Sequence, residues 1–351
     1  MLDDANVIAQ RDPQGALGFA AHQPEQLTHD FGIATQSFDR SFDNVVFAGM
    51  GGSALSAELL RTYPKLSVPF EIVKGYDLPA YVSEKTLVIC SSYSGNTEEE
   101  LSVLEHEETH NVMTQAEEKN VCIAVIAHGG KLAERARGHY MFAEIPECPQ
   151  PRVSVFYSYR ALVEILVAAK LVDGEVLGEL AGLVEPLEQA ISSWLPSVPT
   201  EQNYAKQLAE KAIGKTPIIY AGPLMYPAAY KWKISFNENA KNTAWCNYLP
   251  EFNHNEFIGW SSHPIEKPFA VFDLLSSFEN ERVLKRFEVS DRLLSGMRPK
   301  SHEVHAEGST VLEQLLYLVL LGDFMTTYTA LLNGVNPTPV DLVEKFKKEL
   351  A

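Results

Sequence analysis

Positive charge is scarce in this chain. Its 351 residues carry 29 Lys and Arg against 46 Asp and Glu, a formal net charge of -17. A surface of that sign repels DNA, RNA and anionic lipid, partners that need a basic face to displace their counterions. Nucleic-acid and membrane binding are therefore poor readings of it. Cysteine is scarce too: Cys90, Cys122, Cys148 and Cys246 form no C-x-x-C pair, so neither a disulfide framework nor a zinc site is expected. The first six residues are acidic and lack the basic stretch and apolar run of a secretion signal. The densest apolar run, 311–324, is interrupted by Glu313, Gln314 and Asp323, and is expected to fall short of the roughly 20 apolar residues of a bilayer span. A cytoplasmic protein is the expectation.

What is present is the material of a globular fold, with 46% hydrophobic and 21% charged residues. At this length about two domains are expected. Short apolar runs end in small-residue loops and are followed by helical spacing. Strands are predicted at 45–48, 86–90 and 121–127, with helices at 54–60, from 98, and at 131–137. Such alternation specifies βαβ units and a parallel sheet. The pattern pauses near Pro196 and Pro199, which read as a linker, and restarts with a strand at 217–221. A second strand candidate lies at 269–275, and a long buried helix at 310–332. The expected fold is α/β, with two doubly wound parallel-sheet domains of flavodoxin-like type. Their expected limits are a helical extension over 1–40, a first domain over 41–195 and a second over 200–351. Two such domains would place a cleft between them.

Two loops stand out. Gly49-Met50-Gly51-Gly52-Ser53 follows the first strand and opens a helix, so its N–H groups and the Ser53 hydroxyl can face an anion. Ser92, Ser94 and Thr97 follow the second strand in Ser-Ser-Tyr-Ser-Gly-Asn-Thr. In a parallel sheet both loops fall on the edge where ligands of open α/β folds bind. They carry more hydroxyls than helix caps can use. The chain has neither a Gly-Lys-Ser/Thr nor a G-x-G-x-x-G sequence in these loops, which favours a monophosphate over a nucleotide.

These loops resemble those of a sugar isomerase (SIS) domain. Further stretches narrow the resemblance: Pro149-Gln150-Pro151-Arg152, Phe236-Asn237-Glu238-Asn239-Ala240-Lys241, Pro250-Glu251-Phe252-Asn253-His254-Asn255-Glu256, and Gly334-Val335-Asn336-Pro337 ahead of Lys347. Together they are similar to the bifunctional phosphoglucose/phosphomannose isomerase family, over nearly everything from residue 44 onward. The resemblance implies that Gly52, Ser53, Ser92, Ser94 and Thr97 bind the substrate phosphate. It implies that Arg152, Glu238, His254 and Lys347 surround the reacting carbons; because Lys345, Lys347 and Lys348 cluster on one terminal helix, Lys345 is an alternative to Lys347. It also implies a homodimer in which His254 acts in its own or the partner's site. No metal or cofactor is expected, nor any nucleic-acid or membrane partner.

The residue types suit the chemistry. An aldose becomes a ketose when a proton moves between C2 and C1 through an enediol, and one positioned carboxylate such as Glu238 can remove and return it. A fixed guanidinium, Arg152, can stabilise the enediolate oxygens without a metal. Imidazole side chains in general exchange protons near neutral pH, which suits His254 to opening of the sugar ring, with Lys347 beside it. Two positions depart from the family pattern. Ala54 replaces a frequent glycine, and Val340 lacks a hydroxyl that would help accommodate both C2 epimers, which makes the glucose activity the firmer expectation. The rival readings are an amino-sugar phosphate isomerase of the same fold and a non-catalytic sugar-phosphate sensor.

Overall fold

The computed structural model describes residues 1–95, 108–262 and 267–350. Two compact units result. The first comprises Gln23–Val184 with Val340–Ala351, and the second Met1–His22 with Glu185–Pro339. The boundaries thus fall elsewhere than at 40 and 195–200. The Pro196 to Pro199 stretch lies within the second unit, because its Pro196 and Val198 carbonyls both accept from the buried Lys206 ammonium at 2.9 and 2.7 Å. Lys206 also pairs with Asp3 at 2.9 Å, which ties the first residues to that unit.

The first unit holds a five-stranded parallel sheet: β1 (Asn44–Ala48), β2 (Phe70–Val73), β3 (Thr86–Ser92), β4 (Cys122–Ala127) and β5 (Met141–Glu144). The order is β2-β1-β3-β4-β5, with every pair parallel. Alternate residues of β1 face opposite layers. Val45 and Phe47 pack with the Val155–Ala168 helix through Leu162 and Ile165. Val46 and Ala48 pack with Val112, Met113 and Leu132 on the other side. Burial on both faces is why these strands read as continuous apolar runs. The predicted helix from residue 98 begins outside the described residues; Glu108–Glu118 is helical.

The second unit holds β6 (Thr216–Ala221), β7 (Trp245–Tyr248), β8 (Phe269–Leu275) and β9 (His302–His305), all parallel, in the order β7-β6-β8-β9. The Val311–Asn333 helix is its central support. It corrects the expectation of too short an apolar segment. Twenty-three residues long, it is apolar enough to cross a membrane, but 94% of its most apolar window is buried inside the protein. Gly322 makes room for Trp232, whose ring lies 2.2 Å from where a Cβ would stand, and whose indole donates to the Leu318 carbonyl at 2.6 Å.

Candidate active site

In the first unit the sheet order reverses between β1 and β3: β1 leads outward to β2, and β3 leads the other way to β4. Ligands of open α/β sheets bind outside the strand ends at such a point. Both candidate phosphate loops leave the sheet there, since Ala48 is level with Cys90. Gly51–Ala54 forms a single 3-10 turn before the Leu55–Leu60 helix, a tighter start than the helix predicted from 54. The loops are fastened to each other. The Tyr93 N–H donates to Ser53 Oγ at 2.9 Å, and Ser91 Oγ donates to the Ser53 carbonyl at 3.1 Å. Ser53 Oγ thus serves as an acceptor here, which leaves its O–H proton available to a further acceptor. Ser92 is half-buried and Ser94 exposed, while Thr97 lies outside the described residues.

Arg152 is brought to the same place. It sits on a 3-10 turn, Pro151–Val153, and is 2% exposed. A Cβ on Gly52 would stand 2.9 Å from Pro151 Cβ and 3.2 Å from the Arg152 nitrogen, so glycine lets the two turns pack backbone against backbone. Lys347 belongs to the Asp341–Leu350 helix, and its side chain lies outside the described residues. Lys345 is exposed and faces Glu349 at 3.8 Å.

The second unit carries the other two residues, and it keeps them apart. Glu238, half-buried, is the last residue of the Tyr226–Glu238 helix. Its neighbours fix that helix end. Asn239 Nδ2 donates to Thr326 Oγ1 at 2.9 Å, Asn333 Nδ2 to the Ala240 carbonyl at 3.1 Å, and Lys241 Nζ to the Glu238 carbonyl at 2.6 Å. His254 ends the Glu251–His254 turn beyond β7 and is exposed. Asn253 donates to Ser290 Oγ at 2.9 Å, and Glu256 accepts from Asn247 Nδ2 at 2.6 Å and from the Tyr220 hydroxyl. These bonds anchor the loop on either side of His254. The helix ending in Glu238 runs back from the strand C-termini to the strand N-termini, whereas His254 lies past the C-terminus of β7. Thirteen residues at about 1.5 Å each separate the two sheet edges by roughly 20 Å.

The second unit's own sheet reversal, between β6 and β8, is already filled. Glu279 reaches across from the loop after β8. Its Oε2 accepts from the Leu224 N–H and its Oε1 from the Asn280 N–H, each at 3.1 Å. A Cβ on Gly222 would lie 2.1 Å from Oε2. A carboxylate of the chain thus sits at the position that corresponds to the first unit's candidate phosphate loops.

Comparison with known proteins decides the family. Residues 201–350 match the model described as the bacterial phospho-glucose isomerase C-terminal SIS domain. A bifunctional phosphoglucose/phosphomannose isomerase of Caldicellulosiruptor bescii is 34% identical over 93% of this chain and 96% of its own. The chain belongs to the bifunctional phosphoglucose/phosphomannose isomerases. A second member of that family, from Aquifex aeolicus, is 31% identical over 88% of this chain and 91% of its own. The solved glucose-6-phosphate isomerase like protein of Thermus thermophilus shares the fold, with a TM-score of 0.62 at 19% identity over 99% of this chain and 98% of that one.

The sequence of this isomerase-family chain singles out the loops and Arg152 as candidates, but not Ser91 and Tyr93, whose hydrogen bonds join Ser53 and Cys148 to the second loop. Their hydroxyl types were visible in the segment; their partners, Ser53 and Cys148, lie far away in the chain. Nor does it single out Glu279, which no local motif distinguishes from a surface acid.

Proposed function

We propose that this protein interconverts glucose 6-phosphate, and mannose 6-phosphate, with fructose 6-phosphate. The single observation that carries the reading is the fastened pair of loops at the β1/β3 reversal with Arg152 packed against them, in a chain of this family. Gly52, Ser53, Ser92, Ser94 and Thr97 bind the phosphate through N–H and O–H donors, which supply a dianion with hydrogen bonds without a lysine. Glu238 takes the proton from C2 of the open-chain aldose. The C–H electron pair becomes the C1–C2 double bond, and the C1 carbonyl oxygen takes the negative charge. Arg152 stabilises that oxygen; Glu238 then returns the proton to C1 while the C2 hydroxyl proton passes to the C1 oxygen, which leaves a C2 ketone and a C1 hydroxyl. Since glucose and mannose 6-phosphate differ only at C2, both lead to one enediol. His254 and Lys347 serve ring opening.

The separation of Glu238 and His254 on opposite edges of one sheet supports a homodimer in which each His254 serves the other copy's substrate. A symmetric pair is the simplest assembly that shares residues in this way.

The test is turnover of glucose 6-phosphate, mannose 6-phosphate and glucosamine 6-phosphate. Fructose 6-phosphate from the first two and none from the third supports the reading. Turnover of glucosamine 6-phosphate alone selects the amino-sugar reading, and binding of all three without turnover selects a sensor. Glu238→Gln should lower solvent-proton exchange at C2 by about 10²–10⁴-fold while phosphate still binds.

A further inference from the structure

Tyr93 lies inside the Ser-Tyr-Ser-Gly segment, yet none of the roles above uses its side chain. Its atoms meet three separate stretches of the first unit. The main-chain N–H donates to Ser53 Oγ. The phenol donates to the Cys148 carbonyl at 2.8 Å and accepts from the Cys148 N–H. The ring stacks on His128 at 5.1 Å between centroids and 12° between planes, and His128 Nδ1 is 2.9 Å from the Ile145 carbonyl. Burial pushes the phenol up to about 12, so at neutral pH it keeps the proton that it donates.

Cys148 stands four residues before Arg152, and two of the intervening residues are Pro149 and Pro151. Proline fixes φ, so little backbone freedom separates Cys148 from the Arg152 turn. The phenol holds one end of this stretch, and the contact of Pro151 with Gly52 holds the other. We propose that Tyr93 is a positioning residue for the isomerisation: its hydroxyl clamps Cys148 and so holds the Arg152 guanidinium in register with the phosphate loops. The proposal rests on the reading of Arg152 as the group that stabilises the enediolate.

Geometry of this kind matters because a displacement of 1 Å far from the chemistry can cost about 10²-fold in rate. Tyr93→Phe keeps the ring, the stack on His128 and the main-chain bond to Ser53, and removes only the clamp. The expected result is a kcat for glucose 6-phosphate lowered about 10-fold to 100-fold, with KM and inhibition by inorganic phosphate within about twofold. Placed on Arg152→Lys, it should add little further loss, since residues that act through one group are non-additive. An unchanged kcat with a lowered Tm would reduce Tyr93 to a structural residue and overturn the proposal. So would a raised KM at unchanged kcat, or fully additive losses. Arg152→Lys alone separates the two readings: wild-type kcat in that variant removes the ground on which the proposal stands. Should Tyr93→Phe fail to fold, p-fluorophenylalanine at 93 fills the space of the hydroxyl without a proton to donate to the Cys148 carbonyl. A lowered kcat at unchanged KM then supports the clamp, and wild-type kcat overturns it.

Discussion

Asp273 shows what a single buried charge does in the second unit. It lies in β8, 3% exposed, 3.9 Å from Arg298, and its Oδ1 has no hydrogen-bond partner among the described residues. Arg298 also has two guanidinium nitrogens without partners, so the pair is incompletely satisfied. Burial pushes the Asp273 carboxyl up to about 6, against the pull of Arg298. The folded state therefore holds a proton that the unfolded state has released, between about pH 4 and pH 6. This group's contribution to stability is present in full below about pH 4 and lost as pH rises through 6. With Asp273→Asn, the urea midpoint relative to wild type should rise between pH 4 and pH 6 and level off above. A flat difference would refute the shift. The residues argued for chemistry differ in kind. Glu238 and His254 are placed by hydrogen bonds of their neighbours, which explains why Asn239, Asn253 and Glu256 accompany them in sequence.

Single elements show how far the sequence was readable. The central strands β1, β3, β4, β6 and β8 are buried on both faces, so they appear as apolar runs bounded by small residues, and their loops could be assigned with them. The edge strands were not legible. β2, Phe70–Val73, and β7, Trp245–Tyr248, are four residues each, half-exposed and mixed in polarity, so no apolar run marks them. The candidate phosphate loops were readable as loops, but their bracing was not. Gly95 has φ +60°, and a Cβ there would stand 1.8 Å from the Gly129 carbonyl oxygen. The Leu132 N–H donates to the Gly95 carbonyl at 3.3 Å, and the His128 N–H to that of Tyr93 at 3.0 Å, so the turn after β4 supports the loop after β3. Gly95→Ala adds a left-handed strain and a backbone clash, together about 2–4 kcal/mol of destabilisation. Urea unfolding should show this as a lowered midpoint, and a midpoint equal to wild type would mean that the two turns separate freely.

At the scale of the molecule, the chain interleaves its two units: the second takes the first 22 residues and the first takes the last 12. No composition shift announces such exchanges, because they depend on tertiary partners such as Asp3 with Lys206. The proposed dimer has a consequence for mixtures. Glu238→Gln and His254→Gln are each expected to be inactive. In a mixed dimer with sites completed across the pair, one site carries both changes and the other carries neither. Random exchange of subunits should restore about a quarter of wild-type activity. No recovery after confirmed exchange would place both residues in one copy's site.

The Glu279 carboxylate gives the two units unequal access to help from a ligand. Binding to the native state adds RT ln(1 + [L]/Kd) to stability, and only where a site is open. If its loops bind phosphate as proposed, the first unit gains from inorganic phosphate or a sugar phosphate. The second carries its counterpart of that anion as a fixed part of the chain, and gains nothing. Added inorganic phosphate should therefore slow amide exchange around 49–53 and 91–95 and leave 222–225 and 276–280 unchanged. Equal slowing in both would show that the carboxylate yields its place. On the proposed function, loss of sugar phosphate would remove protection against opening from the first unit alone, while the second keeps what its own glutamate provides.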